Sequence, residues 1–139
     1  MEKLKEKLET FEKAFKTFEE ALNPTEEELK LPEESQKKFR DSKIQRFEYT
    51  IESLWKLAKK YLSKKHSIEL NSPKEIMRSL LKVKIATPEE TEKLIDMLDM
   101  RNLTSHMYYE EIAEQLEYKL PEYYKIIKNS YEKIKADIT

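Results

Sequence analysis

The chain has 139 residues, 40% of them charged, a formal net charge of −1, no cysteine and no glycine. That length suits one domain and buries a real core without disulfide or metal staples. The missing glycine argues against an all-β domain, whose turns need it, and excludes a glycine-rich phosphate loop. The near-neutral balance excludes binding to nucleic acid by bulk charge, so any such contact must be local.

Lys and Glu dominate the charged residues, and Leu and Ile the apolar ones. That is the composition of amphipathic helices. The first helix is expected from Glu2 to Leu22, with Leu4, Leu8, Phe11, Phe15, Phe18 and Leu22 spaced by three or four along one face. Asn23-Pro24 ends it, and the acidic stretch from Thr25 to Glu34 reads as a short helix or ordered connection. A long second helix follows from about Glu34 to Lys65, with a bend allowed near Asp41-Ser42. Its stripe is Phe39, Ile44, Phe47, Ile51, Leu54, Trp55, Ala58, Tyr61 and Leu62. Ser72-Pro73 and Thr87-Pro88 are cap-and-proline starts, each with a Glu in the first turn. They open helices expected over Pro73 to Lys84 and Pro88 to Leu103. The last helix is expected from His106 or Met107 to Ala136, kinked or divided at Pro121. Four to five helices with short links predict an all-α, up-and-down bundle over residues 1–139.

No apolar run approaches about 18 residues, so no membrane span is expected. Met1-Glu2-Lys3-Leu4-Lys5 lacks the apolar centre of a signal peptide, which leaves the cytoplasm as the expected location. Two histidines without cysteine supply no structural zinc set, and no cofactor is expected.

The chemistry concentrates in Arg101-Asn102-Leu103-Thr104-Ser105-His106-Met107-Tyr108. Arginine holds phosphate, and histidine moves a proton near neutral pH. On one straight helix Arg101 and His106 sit about 140° apart, so convergence within the chain requires a break at Thr104-Ser105. An arginine and a histidine near a helix end also serve as caps or ion-pair partners, and spacing alone leaves both readings open. His66 reads as a helix C-terminal residue favoured by the dipole, and Trp55 as core. Tyr109, Tyr123, Tyr124 and Tyr131 read as core or dimer interface. The run Lys37, Lys38, Arg40, Lys43, Arg46 reads as a solvated face, with a local RNA track as the alternative.

Arg101, His106 and Tyr108 form an R-x4-H-x-Y pattern that resembles the motif of HEPN domains. The wider chain is similar to the nucleotidyltransferase substrate-binding proteins and the related HepT toxins. Three segments carry this likeness: Gln45 to Lys56, Ser72 to Ile76, and Leu98 to Tyr108. The resemblance implies a helical bundle that forms a homodimer, with two motifs facing each other across the interface. In toxin members the motif cuts RNA without a metal. A minimal nucleotidyltransferase encoded nearby acts as antitoxin by attaching AMP to the motif tyrosine, here Tyr108. An older description makes the helical protein a non-catalytic, substrate-binding subunit of that nucleotidyltransferase.

Metal-free RNA cleavage needs a base, an acid, and positive charge on the crowded phosphate. His106 suits either proton role, Arg101 the charge, and Asn102 the orientation of phosphate or histidine. One motif histidine per chain is short of two proton carriers, and a second copy would supply the other.

Overall fold

The computed structural model describes residues 2–23, 26–106 and 110–139, with backbone alone at Ser105 and His106. Among them are six helices and no strand: α1 (Glu2–Leu22), α2 (Glu26–Leu29), α3 (Glu33–His66), α4 (Pro73–Lys82), α5 (Pro88–His106) and α6 (Glu110–Ile138). The acidic stretch after α1 contributes the single turn α2 and buries nothing.

α3 is the spine, packing against α1, α4, α5 and α6. The α1 stripe of Leu4, Leu8, Phe11, Phe15 and Phe18 is buried, as its three-and-four spacing predicts. It meets Phe47, Ile51, Leu54 and Tyr61 of α3 and Leu116, Leu120, Tyr123 and Ile127 of α6 in one hydrophobic cluster. Each such side chain, fully buried, contributes about 1.5–3 kcal/mol. Phe15 stacks on Tyr124 at 5.2 Å, and Phe47 stacks on Tyr123 at 5.6 Å. Tyr124 and Tyr131 donate their hydroxyls to Glu19 and Glu12 of α1, so their rings join the core while their tips tie α6 to α1.

The two cap-and-proline starts behave differently. At α5, Thr87 Oγ1 accepts from Glu90 N at 3.1 Å, and Glu90 Oε1 accepts from Thr87 N at 3.0 Å, a closed capping box. At α4, Ser72 is the N-cap, but its hydroxyl makes no cap bond. Without glycine, the left-handed position after α3 falls to Ser67 (φ 55°), whose N–H reaches the Leu62 carbonyl.

Pro121 does not divide the last helix, and α6 is continuous from Glu110 to Ile138. An interior proline costs about 3 kcal/mol. The burial of Leu116, Leu120, Tyr123 and Ile127 on both sides of it outweighs that cost.

The buried tyrosines carry a pH dependence. Burial, first of all, pushes Tyr123 and Tyr124 up to about 12, and Glu19 adds to the effect at Tyr124. Burial raises Tyr61 and Tyr131 as well, with help from Asp137 and Glu12. In the unfolded chain these groups titrate near 10. Between about pH 10 and 12 the folded chain therefore keeps protons that the unfolded chain has released, and stability falls as pH rises. Thermal melts should hold steady up to about pH 9.5 and drop beyond pH 10. Tyr124→Phe should flatten that drop, and a melting temperature unchanged at pH 11 would contradict the account.

Candidate functional site

α5 lays the motif against α3. Arg101 Nε lies 3.3 Å from Glu52 Oε2, with both side chains 31% exposed. A pair this open to water contributes little stability, about 0–1 kcal/mol, so its main effect is to hold the guanidinium in place. Glu52 is itself held: Trp55 Nε1 donates to Oε2 at 3.1 Å, and Lys56 Nζ lies 3.5 Å from Oε1. These partners sit at i+3 and i+4, the helix spacing at which side chains meet.

Arg101 and Asn102 line a cleft of about 430 Å³ together with Glu52, Trp55, Ser72, Pro73, Lys74 and Leu98. Lys74 reaches Asp99 at 2.7 Å. The α4 N-terminus thus closes one wall of the cleft and α3 another. A fixed cation, an exposed amide and a lysine rim are the parts needed to receive a phosphate.

The helix break is not at Thr104-Ser105. Thr104 Oγ1 donates to the Arg101 carbonyl at 3.2 Å, and α5 continues to His106. A threonine that bonds back to its own helix satisfies its hydroxyl without ending the turn. The next helix opens at Glu110. Arg101 and His106 are therefore five positions apart on one helix, about 140° around its axis. The His106 side chain, Tyr108 and Tyr109 lie outside the described residues.

His66 ends α3 as expected, and its Nε2 lies 3.0 Å from the Tyr61 hydroxyl, which donates to Asp137 at 2.6 Å. It stands fourteen residues along α3 from Glu52, about 21 Å by helical rise, and is remote from the motif cleft. Trp55 is only partly buried and sits on the cleft wall rather than inside the core.

Most of the basic run of α3 is engaged with neighbouring helices, while Lys38 is exposed. Lys37 lies 3.1 Å from Glu110, Arg40 is buried with Glu110 at 3.7 Å and Glu114 at 4.0 Å, and Lys43 lies 3.0 Å from Glu117. Arg46 donates to the Thr17 carbonyl at 3.1 Å. The run mainly fastens α3 to α6. Among the described residues, no group of three or more His, Asp or Glu is placed to hold a metal ion. No described helix is long and apolar enough to cross a membrane.

Sequence reasoning missed Glu52 as a site residue. It lies inside the Gln45 to Lys56 segment, but a glutamate on a helix rich in glutamate carries no mark of its own.

The described residues form an all-α bundle with an arginine-bearing cleft between α3, α4 and α5. Residues 6–136 match the family described as nucleotidyltransferase substrate binding protein like, and the chain belongs to that family. A protein of known structure from Thermus thermophilus is 33% identical, with a TM-score of 0.78 over 89% of this chain and 98% of its own. A tri-AMPylated HEPN toxin from Shewanella oneidensis, solved in complex with its MNT antitoxin, is 16% identical. Its TM-score is 0.73 over 96% of each chain. A chain of a mutant MntA–HpeT toxin–antitoxin structure is 15% identical, with a TM-score of 0.73 over 98% of this chain and 99% of its own. The last two likenesses concern the fold. No curated protein matches the chain significantly.

Proposed function

We propose that this chain is a metal-independent endoribonuclease toxin, paired with a minimal nucleotidyltransferase antitoxin and acting in the cytoplasm as a homodimer. The observation that carries the reading is the Arg101 guanidinium, held by Glu52 at 3.3 Å on the wall of a cleft that Asn102 also lines. In the reaction the RNA 2′-oxygen attacks its neighbouring phosphorus, and the bond to the 5′-oxygen breaks. A base takes the 2′-OH proton, and an acid returns a proton to the leaving 5′-oxygen. Arg101 offsets charge on the phosphate, Asn102 orients it, and His106 handles protons. Position 106 is not on the helix face of position 101, and His66 is about 21 Å along α3 from Glu52, the partner of Arg101. A second copy therefore supplies the complementary His106.

The test is purified protein with RNA in EDTA. Cleavage by the wild type is expected, and its absence would reject the ribonuclease. The family description favours a second reading, a non-catalytic substrate- or nucleotide-binding subunit of the nucleotidyltransferase. Control by the partner is separately testable at Tyr108. Its hydroxyl oxygen would attack the α-phosphate of ATP, losing its proton and releasing pyrophosphate. Intact mass after incubation with the partner and ATP should show added AMP, and Tyr108→Phe should remove at least the first addition. Equal labelling of both chains would exclude Tyr108 as the acceptor.

A further inference from the structure

The α3 face that carries Glu52 continues beyond the motif cleft. Trp55, Lys56, Lys59, Lys60 and Ser63 follow Glu52 at i+3, i+4, i+7, i+8 and i+11, a single stripe of one helix. Past Trp55 this stripe borders a second cleft of about 300 Å³, completed by Lys7 of α1 and by Glu69 between α3 and α4. Trp55 lines both clefts, so the indole stands between them as a shared wall.

The second cleft gathers four lysines against one carboxylate, in a chain whose overall charge is −1. The carboxylate, Glu69, accepts a hydrogen bond from Ser63. Lys56 pairs with Glu52 at 3.5 Å, and Lys60 stands one turn further along the same face. The Trp55 N–H is tied to Glu52, and Lys56 Nζ lies 5.8 Å from the ring centroid. An anchored indole beside a row of lysines is how proteins hold a single strand: one base stacks on the ring while phosphates follow the cations. Lysines suit the backbone because a point charge needs no fixed approach angle. In the basic run nearer the α3 N-terminus, Lys37, Arg40 and Lys43 pair with carboxylates of α6.

We infer that Lys7, Lys56, Lys59 and Lys60, with the Trp55 ring, bind the backbone and one base of a single-stranded RNA that enters the Arg101 cleft. From Glu52 to Lys60 the stripe covers about 12 Å of helix, a path for a few nucleotides. The choice of RNA as ligand rests on the ribonuclease reading.

Trp55 is the chain's single tryptophan and reports on its own site. The probe is a short 2′-O-methyl oligoadenylate, whose blocked 2′-oxygen cannot attack, so binding is read without cleavage. Titration into wild type should quench Trp55 fluorescence saturably. The triple variant Lys7→Gln, Lys59→Gln, Lys60→Gln, with helicity checked by circular dichroism, should bind on the order of tenfold more weakly. Its log–log salt slope should be smaller by about 2, at roughly 0.7 per lost phosphate contact. No binding, binding without quenching, or an unchanged slope in the variant would overturn the inference. The EDTA cleavage assay separates the two claims. Binding without cleavage keeps the cleft and removes the ribonuclease. Cleavage with unaltered binding in the triple variant removes the cleft alone.

Discussion

Arg101→Ala should lower RNA cleavage in EDTA by about 10²–10³-fold, the loss typical of removing one preorganised charge stabiliser. Arg101→Lys should recover little of it. The guanidinium is planar and forked, and its Nε edge faces Glu52 at 3.3 Å. A lysine in that place would keep the charge but lose the fixed plane. His106→Ala should cost about 10²–10⁴-fold, the range of general acid–base catalysis. The two variants differ in mixtures. If each site needs the histidines of both copies, one as base and one as acid, His106→Ala chains mixed with wild type will poison shared dimers. Activity should then fall out of proportion to wild-type content. A linear fall would leave the enzyme standing but reject the shared site, and equal cleavage by Arg101→Ala and wild type would reject the motif itself.

Phe47→Ala should be the most damaging single change to the fold, at about 3–5 kcal/mol. Phe47 is fully buried, stacked on Tyr123 of α6 at 5.6 Å and tilted against Phe18 of α1 at 6.1 Å. Three helices meet at this ring, and helices already packed around it cannot collapse to fill the void. Domains have about 5–15 kcal/mol of stability in all, so much of the margin would go. The melting temperature should fall by roughly 10 °C or more. Tyr118→Ala is the control, because Tyr118 is 88% exposed and its loss should stay within about 0.5 kcal/mol. A Phe47→Ala chain melting within a few degrees of wild type would contradict this view of the core.

Local features were legible before the structure. The stripes of α1 and α6 follow helical spacing because amphipathic burial is periodic in sequence. The Thr87–Glu90 box was legible because donor and acceptor lie three residues apart. Where local rules failed, either core packing or a competing local hydrogen bond had reversed them. Proline at 121 left a division into two helices open, but buried residues on both sides keep α6 continuous. Thr104 and Ser105 forecast a helix end, but Thr104 bonds back into α5 instead.

The order of helices and the spacing of Arg101, His106 and Tyr108 are properties of neighbouring residues, and the chain states them on its own. The partners of those residues are another matter. Glu52 meets Arg101, Lys43 meets Glu117, and Lys7 joins the α3 lysines only because α1, α5 and α6 pack against α3. A chain that is 40% charged offers every cation many carboxylates, and no local pattern selects among them. Packing makes the selection, since burial of the apolar stripes sets the rotation of each helix and the charged faces follow.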